Sequence, residues 1–207
     1  MKIYILILFT LFLTLKTFSQ EETAAFKGGE WLRYKMSYSG FLRAGTAILE
    51  IEETSLNGKK VFHTIGTGWT SGMIKWFFKV DDVYESYFDK DTIKPYLFKR
   101  KIDEGGYIKN RTTNFNYASN KAYIQDFKNQ TDTTMVFSEV QDILSSFYYL
   151  RNQDTKGLKK GDEIAIDLFI DSQVYPFKLR FLGKEVLNTK FGKVNCLVIK
   201  PLVQSGR

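Results

Sequence analysis

The sequence predicts a mainly β protein: a strongly curved antiparallel sheet or incomplete barrel with one amphipathic helix packed on it. Two observations predict the sheet. Apolar and polar side chains alternate along most of the chain, and turn residues separate these segments at the roughly 8–12-residue spacing typical of sandwiches and barrels. The helix is predicted by one interruption, where apolar residues recur at helical spacing. With 207 residues, 43% hydrophobic and 26% charged, the composition is that of a globular protein.

The first residues have the pattern of an export signal. Lys2 precedes an apolar stretch from Ile3 to Leu15, and Thr17-Phe18-Ser19 supplies a small-x-small cleavage site. The apolar stretch is shorter than the roughly 20 residues that span a bilayer, so a retained anchor is the less favoured alternative. We predict a signal peptide at residues 1–19 and a mature domain at 20–207 in the periplasm. No cysteine lies near the cut, which argues against a lipoprotein.

The predicted strands follow one another through tight turns. Alternation begins at Trp31, Asn57-Gly58 has the sequence of a type I′ hairpin turn, and Gly105-Gly106 closes a second hairpin. The glycine-rich stretch 66–72 is interpreted as a bent strand or barrel corner. The segment Met73–Val80 also alternates and is predicted to be a strand.

Residues 138–152 are predicted to form the helix. Its apolar face would consist of Val140, Ile143, Leu144 and Phe147. Ser138-Glu139-Val140-Gln141 matches the capping-box pattern at a helix start. Since this apolar face needs a partner, we expect it to pack on the concave face of the sheet.

Composition excludes several kinds of site. One cysteine and one histidine rule out an intramolecular disulfide, a multi-cysteine metal site and the two-histidine zinc motifs. The net charge of +7 is scattered along the strands, whereas a nucleic-acid reader clusters it. The acids Asp81, Asp82, Glu85 and Asp89 are interpreted as a solvated or salt-bridged rim. We therefore predict a protein that is not an enzyme, with no metal, no cofactor and no nucleic-acid partner.

Aromatic side chains are abundant, with 18 Phe, 12 Tyr and 3 Trp. They either form an ordinary core or, in part, line a cavity for an apolar ligand, because barrels of this size hold one small molecule. If such a cavity exists, the residues expected to border it are Tyr34, Trp69, Trp76 and Phe147.

Several short motifs resemble one known family. They are Gly29-Glu30-x-Leu32-x-Tyr34, Asp81-Asp82-x-Tyr84-Glu85-Ser86 and the stretch from Gln141 to Arg151, followed by Gly161-Asp162 and Phe191-Gly192-Lys193. Over roughly residues 26–207 the chain resembles the bacterial family catalogued as domain of unknown function 3108. The resemblance implies an exported, mostly antiparallel β protein of the cell envelope, with no established activity or catalytic residues. Family members usually continue into a further strand pair, so we expect the single β-rich domain 20–207 to lack its last C-terminal strands.

Three hypotheses of function follow. The first is a non-enzymatic periplasmic protein that binds a lipid or other apolar or amphipathic envelope molecule in a lipocalin-like or lipoprotein-carrier-like sheet, an architecture named by analogy only. The alternative is a structural or protein-interaction module of the envelope, with a solid core and no ligand. The third is an enzyme that acts on envelope polymers through the acids at 81–89. No transmembrane segment is predicted after signal cleavage, and no protein partner is identified.

Overall fold

The computed structural model describes residues 25–38 and 42–202, so the predicted signal peptide lies outside the described residues. The chain forms eleven strands and two helices within these ranges. The strands are β1 Trp31–Tyr38, β2 Leu42–Leu56, β3 Lys59–Thr70, β4 Asp81–Asp89, β5 Pro95–Glu104, β6 Tyr107–Asn116, β7 Lys121–Asp126, β8 Thr131–Val136, β9 Glu163–Ile170, β10 Gln173–Thr189 and β11 Gly192–Leu202. The helices are α1 Ile74–Phe77 and α2 Ile143–Arg151.

Strands β1 to β8 form one antiparallel sheet in chain order, and β9 to β11 form a second sheet in the order β11-β10-β9. The two predicted hairpin turns are present, because Asn57 and Gly58 have φ of 51° and 80°, and Gly105 and Gly106 have φ of 61° and 89°. The larger sheet is not closed. The predicted fold class, a mainly β protein with an incomplete barrel and a packed amphipathic helix, is confirmed.

The larger sheet is strongly curved. Side chains from β2, β4, β5, β6 and β7 pack in one cluster with Leu144 of α2. Six flat strands would place β2 and β7 about 24 Å apart at the usual spacing of ~4.8 Å per strand. Contact with a single helix therefore requires the sheet to bend around it, and α2 lies on the concave face.

Helix α2 begins later than the sequence pattern predicted. Residues 138–142 precede it, and Asp142 rather than Ser138 is the N-cap. The Asp142 carboxylate accepts hydrogen bonds from the amides of Leu144 and Ser145, both at 2.8 Å, and the Ser145 hydroxyl accepts from the Asp142 amide. The prediction placed the cap too early because Gln141 pairs with Leu168 in an isolated parallel bridge, which holds this part of the chain extended.

The predicted strand at Met73–Val80 is wrong. Gly72, with φ of 63°, ends the extended run of β3, and residues 74–77 form the single helical turn α1. The Phe78 amide donates to the Ile74 carbonyl at 2.8 Å. A strand needs a neighbouring strand for its backbone groups, and this segment lies in the connection between β3 and β4. The glycine-rich stretch continues β3 as far as Thr70, in line with the predicted bent strand.

Candidate ligand-binding surface

Helix α2 fills one part of the concave face. Fully buried Tyr148 packs in a cluster with Phe88 of β4 and Phe26, and its hydroxyl is 3.3 Å from Thr64 Oγ1 of β3. Gly66 makes room for the helix, since a Cβ there would lie 3.0 Å from Leu144 Cδ2. The sheet and helix interlock closely along this line.

The concave face beyond the helix is uncovered on β1 to β3. Along β3, alternate residues face inwards, and Gly68 follows Gly66 on this face. A Cβ at Gly68 would meet nothing within 4 Å. Tyr34 and Met36 of β1 are 41% and 47% exposed on the same side. This strip, which we call the open groove, is defined by Tyr34, Met36, Ala47 and Gly68.

Three basic side chains gather on the neighbouring strands of the same face. Arg100 Nη1 and Lys109 Nζ contact Asp171 Oδ1 at 2.6 and 2.5 Å, and Arg111 Nη1 lies 3.7 Å from the same oxygen. Asp171 is in the turn between β9 and β10, where it has φ of 51°. Burial acts to raise the pKa of Asp171, but its hydrogen bond to Lys109 and the charge of Arg100 lower the pKa overall. We call these three residues with Asp171 the basic cluster.

The basic cluster keeps one positive charge in excess. Arg111 Nε also donates to buried Asp126 at 2.7 Å. Burial would raise the pKa of Asp126, but hydrogen bonds from Asn129 and Arg111 lower it to about 2. Three cations therefore face two ionised carboxylates.

One cross-strand row, next to the row of the groove, leads to the cluster. The pairing register places Gly66 beside Tyr84, Tyr84 beside Arg100, and Arg100 beside Arg111. The Arg100 guanidinium lies 5.7 Å from the centre of the Tyr84 ring, a cation–π distance. Its buried Nε has no hydrogen-bond partner among the described residues. The concave face thus carries the acid Asp82 beside Gly68 and the basic cluster on the strands beyond.

The four residues predicted to border a cavity do not lie together. Tyr34 and Phe147 are both near Arg151: burial raises the pKa of Tyr34 while the charge of Arg151 opposes the rise, and the Arg151 guanidinium is 5.3 Å from the Phe147 ring. Trp69 neighbours Gly68 on β3 and therefore faces the opposite, convex side. Trp76 lies on α1 at the end of the sheet and is 86% exposed. Ligand binding by these four remains a prediction, and Tyr34 alone lines the open groove.

The acids at 81–89 do not converge. Asp82 is buried on the concave face, where burial raises its pKa and its carboxylate accepts from the Asp103 amide at 3.2 Å. Glu85 is on the convex face, in contact with His63 and Lys99. Asp89 accepts from the amide and hydroxyl of Thr92. Within the described ranges no group of three or more His, Cys, Asp or Glu side chains is placed to hold a metal ion.

The motif residues hold α2 on the sheet. The Ser86 hydroxyl of β4 donates to Asp142 Oδ2 at 2.5 Å, which joins the second motif to the third. Arg151 donates to both carboxylate oxygens of Glu30, and so joins the third motif to the first. These contacts stabilise the fold and leave the groove free.

One protein family matches most of the chain. A model of the family described as a protein of unknown function (DUF3108) matches residues 33–207. The chain belongs to this family. The family match contains Ser86, Asp142 and Arg151, whereas Glu30 lies just before it. No curated protein matches the chain.

Among solved structures, the chain is similar to a beta-barrel-like protein of domain of unknown function DUF1849 from Brucella abortus. The two share 12% identity over 79% of this chain and 71% of that chain, with a TM-score of 0.48. In the described part of this DUF3108 chain, neither helix is long and apolar enough to cross a membrane.

Proposed function

We propose that this protein is an exported, non-enzymatic binding protein of the bacterial envelope, and that its ligand is an amphipathic molecule with one acidic group. The observation that supports this proposal is the chemistry of the concave face. The open groove has empty space above Gly68, and the neighbouring strands of the same face carry buried Asp82 beside Gly68 and, farther on, the basic cluster with its excess positive charge.

The ligand's apolar part lies over Gly68, between Tyr34 and helix α2. Binding there removes the exposed surface of Tyr34 and Met36 from water, worth roughly 25 cal/mol per Å² of apolar area. The acidic group of the ligand faces Arg100, whose Nε has no hydrogen-bond acceptor among the described residues. One negative charge there would balance the excess positive charge of the basic cluster.

The non-enzymatic part of the proposal is supported by the positions of the acids. Among the acids at 81–89, Asp82 and Glu85 face opposite sides of the sheet, and Asp89 is engaged in the turn after β4. Asp82 is hydrogen-bonded to Glu104 of β5, and burial together with the charge of Glu104 raises the pKa of Asp82. A carboxylate pair for general acid–base chemistry must lie on one face, within reach of a common substrate.

Native mass spectrometry tests the proposal. The processed protein, purified from the periplasm of a producing bacterium, is expected to retain a stoichiometric adduct that solvent extraction releases as an acidic amphiphile. A mass equal to that of the chain alone, unchanged after incubation with envelope lipids, would contradict the proposal.

A pair of glycine variants locates the site. Gly68→Leu is expected to fold normally and to lose most of the adduct, because a side chain there enters empty space in the groove and its φ is not positive. Gly157→Leu is the matched control, since a Cβ at Gly157 also meets nothing within 4 Å. Equal adduct on both variants would contradict a ligand in the open groove.

A protein-interaction module is the second candidate. The second sheet exposes several apolar side chains that no described residue covers: Val186, Leu187, Phe191, Val194, Leu197 and Ile199. Leu187 and Val194 lie on one face of the β10–β11 hairpin, and Val186, Leu197 and Ile199 lie on the other. Exposed apolar surface often marks a protein contact. A clean mass without adduct, together with a stable complex recovered from the periplasm, would favour this candidate.

A further inference from the structure

Two connections lie side by side at one end of the larger sheet. The Gly105 amide of the β5–β6 turn donates to the Lys79 carbonyl at 2.7 Å, and Val80 pairs with Glu104. The Phe78 ring lies over Gly105, where a Cβ would be 2.5 Å from Cε2. The segment around α1 is thereby fixed on the body of the protein.

This end of the sheet presents large apolar side chains to solvent. Trp76 and Phe77 are 86% and 85% exposed, and α1 has no buried residue. The other exposed apolar members are Met73, Phe78, Tyr107 and Ile108. We call these six residues the aromatic tip.

The helical segment of the tip is itself basic, whereas Asp81, Asp103 and Glu104 lie at its base. Residues 73–79 include Lys75 and Lys79 and no acid. Lys79 lies 3.4 Å from Asp103 at the surface, so Lys75 is the lysine of this segment that has no ion pair among the described residues. Tryptophan and phenylalanine flanked by lysine are the residues that enter the boundary between headgroups and acyl chains of a bilayer with anionic lipids.

The shape of the tip favours a bilayer over a protein partner. Trp76 and Phe77 are consecutive in one helical turn, so their side chains point about 100° apart around its axis. A fluid lipid layer surrounds both side chains without a preformed complementary surface, which a protein partner would have to supply.

We propose that the aromatic tip inserts into the headgroup region of an anionic membrane. The open groove reaches the same end of the sheet, because Met36 and Gly45 pair and Gly45 pairs with Thr70, the last residue of β3. Docking therefore places the end of the groove at the lipid surface. The docking stands on the tip alone and does not require a bound ligand.

Vesicle binding tests this proposal, using the processed protein produced from the full chain. Vesicles of phosphatidylethanolamine and phosphatidylglycerol are expected to bind it and to shift the tryptophan emission to the blue. Phe77→Ser is expected to weaken binding roughly tenfold or more, the factor for one lost buried phenylalanine. Phe191→Ser, which removes an 82% exposed phenylalanine at a distant turn, is expected to leave binding unchanged.

Further variants separate the electrostatic and the apolar contributions to membrane binding. Lys75→Gln is expected to weaken binding to these anionic vesicles about fivefold. It is expected to leave binding to neutral phosphatidylcholine vesicles unchanged. The control Lys160→Gln is expected to change neither. Trp76→Phe is expected to keep binding and lose the blue shift, which distinguishes Trp76 from Trp31 and Trp69.

Three results would overturn the proposal: no vesicle binding, equal binding by Phe77→Ser and Phe191→Ser, or a dimer that Phe77→Ser dissociates. Thermal unfolding of each variant checks that the fold is retained. Failure of docking is distinguishable from failure of ligand binding, since Phe77→Ser is expected to keep the adduct that Gly68→Leu loses.

Discussion

Replacing Asp142 by alanine is expected to lower the free energy of unfolding by about 3 kcal/mol. The carboxylate caps α2 through two backbone amides and accepts the Ser86 hydroxyl, all in a fully buried position. Loss of a helix cap costs about 1 kcal/mol, and each buried donor left without an acceptor adds roughly 1–3 kcal/mol. Urea denaturation measures the change.

The matched control is Asp154→Ala. Asp154 is exposed and accepts one backbone hydrogen bond, from the Lys156 amide at 2.9 Å. Its replacement is expected to change the stability by less than about 0.5 kcal/mol. A loss of similar size in both variants would show that Asp142 does not anchor the helix.

The same residue gives stability a dependence on pH. Burial raises the pKa of Asp142 from 3.8 to about 6, although hydrogen bonds from Ser86 and two amides oppose the shift. Because the pKa of Asp142 is higher in the folded state than in the unfolded state, the folded state binds the proton more tightly. Protonation of Asp142 therefore stabilises the folded protein fully below pH 3.8, and this stabilisation is lost as the pH rises through 6.

Comparison with Asp142→Asn isolates this contribution. Asparagine can accept the two amides and donate to Ser86, but it does not titrate. Between pH 7 and pH 5 the original protein is expected to gain about 1 kcal/mol relative to Asp142→Asn. Other carboxylates titrate in both proteins and cancel in the difference, so parallel pH profiles would contradict the raised pKa.

Tyr148→Ala is expected to cost about 4 kcal/mol of stability, the largest effect of a single substitution that we predict. Its ring is fully buried against Phe26, Phe88 and Phe147, and large-to-small changes of this kind typically cost 3–5 kcal/mol. Tyr148→Phe keeps the ring and loses only the contact with Thr64, so about 1 kcal/mol is expected.

Tyr175→Ala serves as the control for Tyr148. Tyr175 is exposed on β10, and its hydroxyl contacts only nearby Gln173 among the described residues. Its removal is expected to change the midpoint of thermal unfolding little, whereas Tyr148→Ala lowers it by many degrees. A small effect at Tyr148 would mean that α2 is not essential to the core.

The sheet was predictable because its information is local. Alternation and the turns at Asn57-Gly58 and Gly105-Gly106 specify strands and hairpins without knowledge of distant partners. The first residue of helix α2 was not predictable from local sequence. Asp142 becomes the N-cap because Gln141 pairs with Leu168 and because the Ser86 hydroxyl of β4 donates to the Asp142 carboxylate. Helix α1 was missed because its residues alternate as a strand would.

The candidate site was only partly predictable. A hairpin turn at Gly105-Gly106 implies the pairing of Arg100 with Arg111, so two members of the basic cluster could have been found from the sequence. Asp171 could not have been found in this way, because it belongs to a turn of the second sheet and is separated from the three basic residues by 60 or more residues in sequence. The space above Gly68 exists because α2 contacts the sheet at Gly66 and not at Gly68. The local sequence pattern of a strand does not predict where a distant helix will pack.

Photolabelling shows whether an amphiphile occupies the open groove. A fatty acid with a photoreactive group on its chain is incubated with the processed protein, and the labelled peptides are identified by mass spectrometry. Label is expected on β1 and β3 beside Gly68. Unlabelled fatty acid is expected to compete with it, and the label is expected to be lost in Gly68→Leu but not in Gly157→Leu. Label confined to the second sheet, or label that unlabelled fatty acid does not compete, would contradict binding in the open groove.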